Sequence, residues 1–72
     1  MTPVPHGHLS LTPRDRRILK LVVDGCTNEE IAARVHLSTQ TVKNEVSALM
    51  AKVGVRNRVQ LAVYAVRHEL AG

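Results

Sequence analysis

Phenylalanine and tryptophan are absent from this chain of 72 residues, and Tyr64 is its one Phe/Trp/Tyr residue. A core without large rings must be built from Ile, Leu, Val, Ala and Met, which suits packed helices. Cysteine also occurs once, as Cys26. That excludes an internal disulfide and fits a reducing cytoplasm. The thiol is expected to pack as a small hydrophobe at the turn between the first two helices. Zinc needs about four clustered ligands. The histidines are scattered, His6 and His8 in a loose tail and His36 and His68 far away, so neither a metal nor another cofactor is expected. No run approaches the roughly 20 apolar residues of a membrane span. The first ten residues have no charged segment leading into an apolar one, so no secretory signal is expected. Acidic groups are scarce: six Asp plus Glu face ten Lys plus Arg, a formal charge of +4.

What is present is a length suited to one small domain and a hydrophobic content of 44%, enough for a compact core. The pI near 10.0 favours an anionic partner, nucleic acid being the commonest. A basic domain that is merely soluble has the same charge, so the balance alone does not separate the two.

Residues 1–10 contain two prolines, a glycine and no helical period, and read as a flexible leader before a folded part at 11–72. One start signal then recurs. Thr12 is followed at three residues by Asp15, Thr27 by Glu30, Asn57 by Gln60 and, more weakly, Ser38 by Thr41. A cap oxygen accepts from unpaired N–H groups of the first turn, and the third residue reaches back. Pro13 suits a first helical position. Gly25 and Gly54 mark stops. The spacing predicts helices at about 13–24, 28–35, 39–53 and 58–70, with no strand. The fold class is all-α, a four-helix bundle. Only His36, Leu37 and Ser38 separate the second and third helices, which forces a sharp crossing of the helix-turn-helix kind. Ile31, Ala32 and Val35 are its inward residues.

At about 100° per residue, Val42, Val46, Leu49 and Val53 fall on one side of the third helix, with Met50 at the edge. On the other side Gln40, Lys43, Asn44, Ser47 and Ala51 form a slim polar stripe without a carboxylate. Gln and Asn amides donate and accept at once and match an adenine edge. Lys reaches guanine acceptors or phosphate, and Ser and Ala let the helix lie close to bases in a major groove. Glu45 lies roughly 140° from the centre of that stripe. It belongs to a flank, where pairing with a basic residue of the first or fourth helix is expected.

The run from Leu11 to about Leu70 resembles the LuxR/NarL-type helix-turn-helix domain of bacterial transcription regulators. The marks are LTPR-D at the first cap, G-x-T-N-E-E-I-A into the second helix, L-S-x-x-T-V-K-N opening the third, and G-V-R-N-R closing it. The resemblance implies sequence-specific binding of double-stranded DNA by the output domain of a regulator, with the third helix in the major groove. It implies base or phosphate contacts from Lys43 and Asn44, with Gln40 and Ser47 along the same face. Thr27, Ser38 and Thr41 correspond to caps that touch the DNA backbone, and Arg56 and Arg58 to phosphate contacts beyond the reading helix. Glu45 departs from the family, which carries a neutral or basic residue there. Such domains usually follow a receiver or other sensory domain, so the chain is either an excised fragment or a free-standing small regulator.

On the fourth helix Val59, Ala62, Val63, Val66 and Leu70 are taken as the inward stripe, and Leu61, Tyr64, Ala65 and His68 as a second, exposed surface. A two-fold homodimer through that surface would bind inverted half-sites about one helical turn apart. RNA polymerase is a further candidate partner. Two other readings stay open. A sigma-factor region-four-like module shares the LT-x-R and E-I-A segments but has no place for a fourth helix. A helical protein-interaction module would ignore DNA. No nucleophile–base pair stands out among Tyr64, Cys26 and the four histidines, so the chain is not expected to be an enzyme.

Overall fold

The computed structural model describes residues 11–70; the leader assigned to 1–10 and the two histidines in it lie outside the described residues. Four helices run α1 (Pro13–Val23), α2 (Asn28–Val35), α3 (Thr39–Val53) and α4 (Arg58–Arg67), and no strand occurs among the described residues. All four expected start signals are made. The Thr12 hydroxyl accepts from the Asp15 N–H while the Thr12 N–H donates to Asp15 Oδ2, both at 3.0 Å. Thr27 and Glu30 repeat this box on α2. Ser38 Oγ accepts from the Thr41 N–H at 3.1 Å. Asn57 Oδ1 accepts from the Gln60 N–H at 2.8 Å, and the Gln60 amide reaches one residue past the cap to the Arg56 N–H.

The four stops also share one device. A left-handed residue follows each helix: Gly25, His36, Gly54 and Glu69, with φ of 86°, 59°, 80° and 53°. The next N–H then bonds back five residues, from Cys26 to Leu21, Leu37 to Ala32, Val55 to Met50 and Leu70 to Ala65, at 2.9–3.0 Å. This pairs late carbonyls that would otherwise lack a donor, and it turns an apolar residue back onto the bundle. Glycine announces two of these stops. At His36 and Glu69 a side chain tolerates the left-handed backbone, so the sequence holds no matching signal. That is why α4 ends at Arg67 rather than at the expected 70. A continuous helix would have put Leu70 on the stripe of Val59, Val63 and Val66; the early stop swings it into the core, where it is buried.

Ile18, Leu19, Ile31, Val42, Leu49 and Leu61 are the largest fully buried side chains, and they come from all four helices. The aliphatic core expected from the missing aromatics is what forms. Cys26 is buried at the α1–α2 turn as expected, and no side-chain polar atom among the described residues is buried without a partner. The three-residue His36–Ser38 link holds α2 against α3, and Arg17 of α1 adds a 3.0 Å bond to the Arg34 carbonyl at the end of α2. The all-α helix-turn-helix architecture is therefore present.

The assignment of faces on α4 is corrected. Leu61 and Ala65, expected outside, are completely buried. Val59, Val63 and Val66, expected inside, are 73%, 45% and 59% exposed. Arg58 shares the inward side, three residues before Leu61. Its guanidinium donates to the Cys26 carbonyl and to Asn28 Oδ1, across the α1–α2 turn. This bond pair fixes the rotation of α4, and Ala65 is small enough to let the helix approach α1, its most extensive neighbour. Apolar periodicity supplies a stripe but not the choice between two stripes.

Candidate nucleic-acid interface

The tight α2–α3 corner sets α3 so that one side is sealed into the core and the other is free. Val42, Val46 and Leu49 are buried, with Met50 and Val53 packed partly against them. Gln40, Lys43, Asn44, Ser47 and Ala51 are all exposed. The structure thus brings the four expected base-reading residues onto one open face. Within it Gln40 Nε2 donates to Asn44 Oδ1 at 3.0 Å. This one-turn amide pair uses a Gln40 N–H and the Asn44 carbonyl oxygen, so the Asn44 NH2 can still donate and the Gln40 carbonyl can still accept.

The expected backbone contacts divide. Thr27 and Ser38 are exposed at the N-caps of α2 and α3. Thr41 is half-buried and its Oγ1 accepts from Ser38 Oγ at 2.8 Å. Arg56 is exposed just before α4. Arg58, expected on the DNA backbone, turns inward here, its guanidinium donating to the Cys26 carbonyl and to Asn28 Oδ1. Of the four residues expected at a dimer surface, Tyr64 and His68 are half-buried with ring centroids 4.3 Å apart. Leu61 and Ala65 are core. The exposed apolar group on α4 is Val59, Val63 and Val66, bordered by two shallow hollows of about 290 Å³ each. The valines were missed because Val, like Leu, reads simply as apolar.

Glu45 has the expected kind of partner: the Arg14 guanidinium of α1 donates to its Oε1. Along the same α1–α3 seam Lys52 Nζ lies 3.8 Å from Asp15 Oδ2. The two pairs line a cleft of about 220 Å³. On α2, the Thr27 backbone N–H, helped by the Thr27 hydroxyl, holds the Glu30 carboxyl below its ordinary range. Among the described residues no group of three or more His, Cys, Asp or Glu could hold a metal ion. None of their helices is long and apolar enough to cross a membrane.

A short corner, a buried rear face and an open polar face define a helix-turn-helix domain of the DNA-binding kind. The sequence model for "Bacterial regulatory proteins, luxR family" matches residues 9–65, and the chain belongs to that family. It is a LuxR-type DNA-binding helix-turn-helix domain of transcription regulators, a class defined by binding rather than by catalysis. The chain is 49% identical over 55 residues to the DNA-binding transcriptional activator DevR/DosR of Mycobacterium tuberculosis, covering 76% of the chain and 25% of that protein. It is 42% identical over 60 residues to the response regulator protein VraR of Staphylococcus aureus, covering 83% and 29%. The probable transcriptional regulator ycf29 of Porphyra purpurea is 45% identical over 62 residues, covering 86% and 30%. The chain thus spans between a quarter and a third of these relatives. A solved structure of the transcription factor GerE matches with a TM-score of 0.77 at 32% identity, covering 83% of this chain and 90% of that one.

Proposed function

We propose that the domain binds double-stranded DNA sequence-specifically as the output module of a transcription regulator, with α3 in the major groove. The observation that carries this is the exposed stripe of Gln40, Lys43, Asn44 and Ser47, free of carboxylates and backed by a buried apolar face. In this reading Asn44 and Gln40 read base edges, and Lys43 reads guanine or meets a phosphate. Thr27, Ser38 and Thr41 at the helix starts, with Arg56 beyond α3, face the phosphate backbone.

Dimerisation belongs to the same reading, on a revised surface. Val59, Val63 and Val66, with Tyr64 and His68 at the margin, supply an apolar strip on α4 that a second copy would cover with two-fold symmetry. Inverted half-sites would then lie about one helical turn apart. RNA polymerase is the partner that a promoter-bound regulator would meet next.

Selection of bound sequences from a random duplex pool tests both parts. A base preference that relaxes in Asn44→Ala, with inverted symmetry in the selected sites, is the expected result. Binding indifferent to sequence and to salt would favour a protein-interaction module instead.

A further inference from the structure

We infer that Glu45 is a specificity-determining residue: by holding the Arg14 guanidinium, it keeps a cation at the edge of α3 from the DNA phosphates and limits sequence-independent binding. The inference rests on α3 being the groove-inserted helix. A major groove about 12 Å wide admits a helix of about 10–12 Å, so phosphate walls rise beside both flanks of the inserted helix. Arg14, in the first turn of α1, pairs over the α1 side of α3, the flank that carries Glu45. Its side chain is 52% exposed, while the paired Glu45 side chain is 22% exposed. An arginine at a groove wall is suited to bidentate phosphate contact, and the carboxylate occupies it first.

The fold does not account for Glu45. The start of α1 is already capped by Thr12 and Asp15. The α1–α3 contact has Ile18, Val46 and Leu49 in the buried core. A part-exposed ion pair adds little to that, whereas a carboxylate on a DNA-reading helix repels phosphate. Its effect is therefore felt mainly in binding. The neighbouring Asp15–Lys52 contact balances the next cation on the seam, so the flank carries no net charge from these four groups. Lys43 remains exposed on the reading face.

Neutralising the flank separates two modes of binding. In a sequence-independent complex the protein shifts freely to collect phosphate contacts, and a released Arg14 would strengthen that mode fully. In a specific complex the base contacts fix the register, so the same cation adds less. Glu45 thereby raises the ratio of specific to non-specific affinity.

The test uses the whole chain with two duplexes of equal length, one recovered by selection and one of mixed sequence, titrated across salt. Glu45→Gln should bind the mixed duplex several-fold more tightly and steepen the log–log salt slope by about 0.9, the value for one added phosphate contact. Arg14→Ala should keep the wild-type slope, and Arg14→Ala with Glu45→Gln should return to it. An unchanged slope in Glu45→Gln, or a gain that survives in the double variant, overturns the inference. Should Glu45→Gln not fold, the charge swap Arg14→Glu with Glu45→Arg must keep the wild-type slope, and a steeper one overturns it equally. A wild-type chain that binds neither duplex removes the groove-reading helix itself, before any variant is compared.

Discussion

Helices α3 and α4 are both amphipathic by sequence, yet only α3 declares which way it faces. On α3 the buried Val42, Val46 and Leu49 oppose Gln40, Lys43, Asn44 and Ser47, so one rotation buries carbon and exposes polar groups. On α4 carbon lies on two sides, Leu61 with Ala65 and Val59 with Val63 and Val66. Either rotation buries an apolar stripe, and the choice falls to groups outside the helix. Arg58 makes it, through bonds to Cys26 and Asn28 that lie 32 and 30 residues away in sequence. An interior helix needs one apolar face; on α4 the second one stays at the surface.

The largest effect should separate the two stripes of α4. Leu61→Ala removes a completely buried side chain and should destabilise the domain by about 2–5 kcal/mol. Val59→Ala, on the exposed stripe, should stay within about 0.5 kcal/mol. Urea denaturation at low protein concentration measures both. Val63→Glu should leave the monomer folded while abolishing self-association in sedimentation, whereas Leu61→Ala loses fold and association together. Equal stability losses at positions 59 and 61 would erase the distinction between the stripes.

The next effect belongs to α3. Lys43→Ala and Asn44→Ala alter exposed side chains and should leave the unfolding midpoint unchanged. Each should weaken binding to a selected duplex by about 1–3 kcal/mol. Asn44→Ala should in addition relax the base preference in a repeated selection. A loss of binding that tracked a loss of stability would make this face structural, like the buried side of α4.

Much of this contrast is legible in the sequence alone. Helix starts are local events, a cap and a residue three positions on, and all four were readable from Thr12, Thr27, Ser38 and Asn57. Glycine stops at 25 and 54 were readable for the same reason, and the end of α2 at 35 was readable without a glycine; the stop before Glu69 was not, because nothing in a side chain obliges it to take a left-handed backbone. The polar stripe of α3 was plain because its chemistry differs from that of the core. The rotation of α4 was hidden because it depends on a contact between distant segments. One wrong phase accounts for five misplacements at once: Leu61 and Ala65 outside, and Val59, Val63 and Val66 inside.

Arg58 offers a direct check on that phase. Replacing it with Ala leaves the Cys26 carbonyl and the Asn28 amide without their donor. A cost of about 1–3 kcal/mol is expected for unpaired groups of this kind. The salt slope of DNA binding should keep its wild-type value, because the guanidinium is occupied inside the fold. Arg56→Ala should do the reverse, leaving stability alone and lowering the slope by about 0.9, one phosphate contact. If Arg58→Ala lowered the slope while stability held, the cation would belong to the DNA and something else would set α4.

The smallest expected effect distinguishes the starts of α2 and α3. Both are capped by a hydroxyl, but only α2 closes its box with a titratable group, Glu30. The Thr27 backbone N–H, with the hydroxyl second, lowers the Glu30 pKa in the folded state. A carboxylate lowered on folding stabilises fully above its unfolded pKa, and the gain fades as pH falls through the folded one. Acid should therefore loosen the first turn of α2, whereas the Ser38–Thr41 start of α3 holds no group to protonate. Carboxyl resonances followed by NMR should show Glu30 titrating below an ordinary glutamate. Thr27→Val should restore only part of the difference, since the backbone N–H, the larger cause, remains. Full restoration would mean that the hydroxyl, not the backbone, holds the carboxylate.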